Sequence, residues 1–275
     1  MCRTAFWPPW LDARRLDDDL LAQAYERTDA PRRACVKNGM ALLHALWGEY
    51  PDAARQECRD AAKGFRHVRS QCPASWALFV LTPGYAAPVR LAAALMPALL
   101  AHVPLVGALC AGGNPSTPAC VTLELAGIEH IFQTPLTDVP RLLRHMAETA
   151  GQGRIVLLHQ GELDPVRRTA EELRLPVWEE RRVPLLWIDA AAGHAAELLA
   201  WAHPDAAFIP LPATSPQPAD RPDALFADRE FASREMEEIP LTIHPGLEGC
   251  WLHPDLTPEF FRQHRIRMAP SGGDA

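Results

Sequence analysis

A chain of 275 residues with 48% hydrophobic content has enough apolar surface for a real core, which excludes wholesale disorder and suits one large domain or two small ones. Its formal net charge of −7 argues against a sequence-independent nucleic-acid surface, which needs clustered positive charge. The seven cysteines are odd in number and show no CxxC spacing, a pattern that fits reduced thiols in a cytoplasm better than a disulfide framework or a zinc knuckle.

The N-terminal residues Met1 to Pro9 lack the long apolar region of a secretory signal. The longest apolar stretch, Leu91 to Cys110, is interrupted by Pro97, His102 and Pro104, whereas a membrane span needs about 20 clean apolar residues. A buried helix followed by a buried strand is expected there, and no membrane partner. Residues 1–70 read as a helical segment. Leu16, Leu20, Leu21 and Tyr25 lie at helical spacing behind the acidic run Asp17 to Asp19. A second helix, Arg32 to Trp47, carries Val36, Met40, Leu43 and Trp47 on one stripe and is ended by Gly48 and Pro51; a third and more polar one is predicted over Asp52 to Val68.

Residues 71–210 change pattern. Ser75 to Thr82 is a continuous apolar run of strand length closed by Pro83-Gly84, and an apolar helix, Ala87 to His102, follows. Strands at Pro104 to Cys110, Glu129 to Thr134 and Arg154 to His159 then alternate with helices at Ser116 to Ala126 and Asp138 to Ala150. The alternation weakens through a helix at Glu162 to Leu173, strands at Val177 to Glu180, Pro184 to Asp189 and Ala206 to Ile209, and a helix at Gly193 to Ala202. Runs apolar on both faces that alternate with helices of this length mark an α/β fold with a mainly parallel, Rossmann-like sheet flanked by helices. Residues 211–223 read as a proline-rich connector and 224–275 as a mixed tail packing on the core. In that tail an acidic helix is expected at Asp228 to Glu238, a strand at Leu241 to His244, a terminal helix at Thr257 to Arg265, and disorder over Ser271 to Ala275.

Two strand-to-helix turns are the candidate cofactor-binding residues: Pro83, Gly84 and Tyr85 in one, Gly112, Gly113 and Asn114 in the other. In parallel sheets such turns lie at the carboxyl edge, where ligands bind, and glycine lets backbone approach a phosphate. Neither turn has GxGxxG spacing or a P-loop lysine, so both also read as ordinary tight turns. Of the eleven histidines, His194, His203, His244 and His253 are the suggestive set for a metal, but no HExxH or HxH pair supports them. No GxSxG elbow is present, and Cys110, at a strand end without a basic neighbour in sequence, reads as a buried thiol.

Three segments together carry a family resemblance. The strand and turn Leu78 to Gly84 run into the proline-containing apolar helix Ala92 to Ala98. Asn114-Pro115 is followed by Leu125-Ala126-Gly127-Ile128-Glu129-His130-Ile131-Phe132, and Pro184 to Asp189 by Leu198-Leu199-Ala200-Trp201-Ala202-His203-Pro204. From Pro83 to Pro204, under half the chain, the sequence resembles the histidinol dehydrogenases, members of the aldehyde-dehydrogenase-like fold group. The resemblance implies an NAD cofactor and a zinc ion held by a Gln and a His of the paired-leucine helix. Here the Gln position reads Trp201 or Ala200, only His203 remains as a remnant metal candidate, and the family's Gly-Pro-Glu-His and Asn-His-x-Leu-Pro-Thr segments are absent. Zinc is therefore not expected, NAD stays open, and no catalytic residue is assigned. The resemblance implies a non-catalytic or diverged relative, binding a nucleotide or small anion at the carboxyl edge of the sheet. An NAD-dependent oxidoreductase of unidentified substrate and a structural partner subunit are the alternatives; a homo-oligomer is left open.

Overall fold

The computed structural model describes residues 6–60, 62–159, 161, 163–211, 221–228 and 239–270. Its centre is the apolar run Trp76–Leu81 (β3), every residue of which is buried. A strand apolar on both faces needs cover on both, and β3 pairs in parallel with β4 (Val106–Ala111) on one side and β6 (Gly153–Leu158) on the other. With β5 (His130–Thr134) and β7 (Val177–Glu179) this gives a five-stranded, all-parallel sheet of order β5-β4-β3-β6-β7. The strands and the helices α3 (Pro88–Leu100), α4 (Thr117–Leu125), α5 (Val139–Thr149) and α6 (Asp164–Glu172) fall where the alternation places them.

One face of this sheet is covered by α3, α4 and α1 (Asp18–Arg27), through Leu91, Leu95, Leu123 and Leu21. The other is covered by α5 and α6, with Trp7 and Leu11 of the N-terminal segment. The Asp17 carboxylate accepts from Asp19 N at 3.0 Å, and Asp29 from Arg32 N at 2.9 Å, which start α1 and α2 (Ala30–Trp47). Gly48, at φ +64°, ends α2.

A second sheet was not expected. β8 (Leu185–Asp189), β9 (Ala207–Leu211), β10 (Ala224–Phe226) and β11 (Thr242–Ile243) form a separate parallel sheet of order β11-β10-β8-β9. Alternation along the chain shows that strands recur but not which of them pair, because pairing is a long-range choice. Helix α3 lies between the two sheets. Leu91, Ala94 and Leu95 face the first core, while Val89, Ala93 and Met96 join α2, α7 (Ala196–Ala202) and the second sheet in another.

Two predicted helices are strands. The segment expected as a helix over Asp52 to Val68 forms the antiparallel hairpin β1 (Ala54–Asp60) and β2 (Phe65–Pro73), with Gly64 at φ +71° in its turn. The expected terminal helix Thr257 to Arg265 is a 3-10 turn, Pro258–Phe261, followed by β12 (Arg262–Pro270), which pairs with β2 over its full length. For β12 the cause is a partner far away in sequence, invisible to local pattern, and for β1 and β2 it is pairing across a local hairpin; β-propensity depends on the neighbouring strand. Arg154, 6% exposed, donates to the carbonyls of Phe260 and Arg262 and so ties β12 to β6. The acidic helix expected at Asp228 to Glu238 and the tail Ser271 to Ala275 lie outside the described residues but for Asp228, and the connector does so over 212–220. No helix among the described residues is long and apolar enough to cross a membrane.

Helix α2 meets the loop 245–250 backbone to backbone: a Cβ on Gly39 would sit 1.9 Å from the Gly249 carbonyl oxygen. Gly39→Ala should therefore destabilise the fold by about 1–3 kcal/mol through overpacking, despite alanine's better helix propensity. Urea unfolding followed by tryptophan fluorescence measures this; an unchanged or raised midpoint would contradict the close approach.

Candidate functional site

In the first sheet the chain runs from β3 outward to β4 and β5, then returns to the other side of β3 for β6 and β7. Such a reversal makes the carboxyl edge around β3 the default ligand crevice. Both glycine turns reach this edge and touch: a Cβ on Gly113 would lie 2.9 Å from Pro83 Cγ. Ser116 Oγ donates to the Tyr85 carbonyl at 2.7 Å and accepts from Ala119 N at 3.3 Å, fixing the first turn to the start of α4. Gly112 has φ +99° and donates to the Thr134 carbonyl at 2.9 Å, with open space where a side chain would stand. Beside it lies a cleft of about 370 Å³ lined by Arg14, Arg15, Gly112, Gly113, Gln133 and Thr134. Arg15 is anchored by donating from Nη2 to the Glu129 carbonyl at 2.5 Å.

The structure thus brings Pro83, Gly112 and Gly113 together and leaves Gly84 and Asn114 exposed on the same edge. Tyr85 contributes only backbone to the edge, because its ring is 1% exposed and lies under Arg90, whose Cζ is 6.0 Å from the ring centroid. Arg14 and Arg15 were not picked out from the sequence; a basic pair next to an edge strand carries no local motif.

Behind the edge lies a buried charge cluster, also unread at the sequence level. Arg90, on α3, is 1% exposed; its Nη2 donates to both Asp205 oxygens at 2.7 Å and its Nε stands 2.9 Å from Glu180 Oε1. Burial works against the guanidinium's charge, but Tyr85, Glu180 and Asp205 more than offset it and raise its pKa. Burial raises the Glu180 carboxyl, with Arg90 opposing, and burial together with Glu180 raises the Tyr85 hydroxyl. A lone arginine inside an otherwise apolar helix, between Val89 and Leu91, was the available signal.

At the end of β6, His159 has Nε2 2.9 Å from Glu179 Oε1 and Nδ1 against the Gly161 carbonyl, while Arg167 also pairs with Glu179. Both ring nitrogens of His159 are thus engaged within the protein, Nε2 with Glu179 and Nδ1 with Gly161. The histidines proposed for a metal do not converge. His194 Nδ1 lies 3.2 Å from Glu248, His244 Nδ1 lies 2.9 Å from the Ala227 carbonyl, and His253 Nε2 lies 2.9 Å from the Arg90 carbonyl. His203 is fully buried between the rings of Trp251 and Phe226, at 5.0 and 5.9 Å, and neither ring nitrogen has a partner. Trp201, standing where a Gln ligand would be, packs under the Arg32 guanidinium at 5.8 Å. Among the described residues no group of three or more His, Cys, Asp or Glu could hold a metal ion, and the residues around His203 do not fit zinc.

The architecture is that of an α/β protein with two parallel sheets flanked by helices. No protein-family model matches the chain, and no curated protein does. Among solved structures, histidinol dehydrogenase from Elizabethkingia anophelis is similar at TM-score 0.59 and 12% identity, over 94% of this chain and 77% of that one. Substrate-bound Staphylococcus aureus AldH matches at TM-score 0.35 and 14% identity, over 78% of this chain and 47% of that one. Lactaldehyde dehydrogenase from Escherichia coli gives 0.37 and 12%, over 77% and 47%. The fold is similar to that of histidinol dehydrogenase, and at 12% identity the likeness shows fold alone.

Two outcomes follow from the cluster. Arg90→Met should destabilise the protein by about 3–5 kcal/mol, since it leaves two carboxylates buried without their cation; a loss under about 1 kcal/mol in urea unfolding would contradict this. Burial, with the Arg90 charge, lowers His203 to about 3, and burial lowers His253 to about 4 against the opposing hydrogen bond to the Arg90 carbonyl. The unfolded chain protonates these imidazoles near pH 6.5 and the native one does not, so stability should fall as pH drops from about 6.5 to 4.5, by up to roughly 1.4 kcal/mol per pH unit for each histidine. The raised Glu180 opposes this with at most one proton. Unfolding midpoints across that window, with His203→Leu losing one proton's share of the slope, measure it.

Proposed function

We propose that this protein is a dehydrogenase-fold binding protein that takes a nucleotide or a small anion at the carboxyl edge of its five-stranded sheet and does not oxidise histidinol. The supporting observation is the cleft where the Gly112-Gly113 turn stands beside Arg14 and Arg15 at the carboxyl ends of β4 and β5. A turn without side chains lets a phosphate approach backbone, and guanidinium groups supply charge-assisted bonds to its oxygens. NAD belongs to the same class of ligand and would be held through its phosphates by these residues, supplying hydride chemistry for which no side chain of the edge is placed as base. Alcohol oxidation needs such a base in hydrogen-bond reach of the hydroxyl. His159 has both ring nitrogens engaged, and His203 is sealed in the core.

Calorimetric titration of the full chain with ADP, NAD and inorganic phosphate tests the reading. At least one should bind, more weakly as NaCl rises from about 50 to 200 mM, and Arg14→Glu should weaken binding by roughly tenfold or more through loss of a charged hydrogen bond. Binding of none of the three would favour a purely structural subunit. Histidinol with NAD should give no NADH absorbance above background; a signal abolished by His203→Ala would overturn the non-catalytic reading.

A further inference from the structure

The second sheet has a strand-order reversal of its own. From β8 the chain passes through α7 to β9 on one side and returns to β10 on the other. On the β9 side of β8, a cavity of about 290 Å³ lies between the end of β8 and α7. Its walls are largely apolar, from Ile188, Ala196, Leu199 and Phe208, and its polar side chains are Asp189 and His194. No Lys or Arg is among its described lining residues.

The polar groups are built rather than incidental. The His194 side chain is 2% exposed, its ring packs edge-on to Phe226 at 5.5 Å, and its Nδ1 is 3.2 Å from Glu248 Oε1. Glu248, 7% exposed, also accepts from Gly246 N at 3.1 Å and Ala195 N at 3.5 Å. A carboxylate held in this way accepts a hydrogen bond from Nδ1–H, and in that neutral tautomer His194 Nε2 is an acceptor. Among the described residues that buried Nε2 has no hydrogen-bond partner, a state that native interiors rarely leave uncompensated. Asp189 is 5% exposed, and its Oδ1 accepts from Ala191 N at 2.9 Å. The cavity therefore combines apolar walls, acceptors without donors, and negative charge without a balancing cation.

We propose that this cavity is a binding site for a small primary amine with a compact hydrocarbon body, its ammonium at Asp189 and His194 and its apolar part against Leu199 and Phe208. The volume is at the bottom of the roughly 300–1,000 Å³ typical of ligand pockets, which suits a ligand of one ring or a short branched chain. The ammonium supplies the donor that Nε2 lacks and the charge that Asp189 lacks. The site rests on residues of the second sheet alone and does not depend on the anion reading of the first.

Benzylamine, benzyl alcohol and benzoate share one body and differ in the head group, so they serve as probes. Titrated into the full chain, benzylamine should bind roughly tenfold or more tighter than benzyl alcohol, benzoate should not bind, and the His194 Nε2 resonance should move with benzylamine. Asp189→Asn keeps an acceptor for Ala191 N and should lose the preference for the amine, with circular dichroism unchanged. Ala196→Leu, which fills the cavity from α7, should abolish binding of all three probes, and it remains informative where Asp189→Asn fails to fold. Equal affinity for benzylamine and benzyl alcohol, or benzylamine binding unaltered in either variant, would overturn the proposal.

Discussion

Helix α3 has no solvent face to speak of, and Arg90 sits inside it with carboxylates on either side: Glu180 beyond the end of β7 and Asp205 before β9. A buried guanidinium is tolerable only when its charge and its donors are met. Meeting them requires the first sheet, α3 and the second sheet to be in place at once. Apolar contacts on either side of α3 could slide with little change in energy, since the hydrophobic effect is non-directional. The two bonds from Arg90 Nη2 to Asp205 cannot, and the spacing between the sheets depends on them. Tyr85 lies over the same guanidinium, so the first ligand turn inherits its position from this cluster.

The two carboxyl edges differ in charge although they share a plan. One presents Arg14 and Arg15 beside glycine backbone; the other presents Asp189, with Glu248 behind His194. Each lies at the carboxyl end of parallel strands, the first beside the ends of β4 and β5 and the second between the end of β8 and α7. The sheet supplies the crevice, while short loops supply its sign. Loops change without disturbing the core beneath them, so one fold can carry a basic edge and an acidic edge in the same chain.

Where the resemblance implies metal ligands, the structure shows packing. Where the resemblance implies a Gln ligand, Trp201 takes part in the core of the second sheet and stacks with Arg32. His203, the remnant, lies among Trp251, Phe226 and the Arg90 charge, which together with full burial keeps it neutral. An imidazole without a second ligand or a carboxylate behind it gains nothing from exposure, and its ring serves as an apolar body instead.

The sequence alone determined the strand–helix alternation from Ser75 to His159, the burial of α3, the two glycine turns at one sheet edge and the departure from the metal-binding pattern. These are local properties: period, run length, breaker residues and the presence or absence of a short motif. Tertiary structure alone decided that β8 to β11 form a separate sheet, that Ala54–Asp60 and Arg262–Pro270 are strands flanking β2, and that Arg90 and His194 meet buried carboxylates. Several of these depend on a partner distant in the chain: Cys72 for Gln263, Asp205 for Arg90, Glu248 for His194. Strand pairing and buried charge pairing are chosen by the whole fold, and no local pattern encodes their partners.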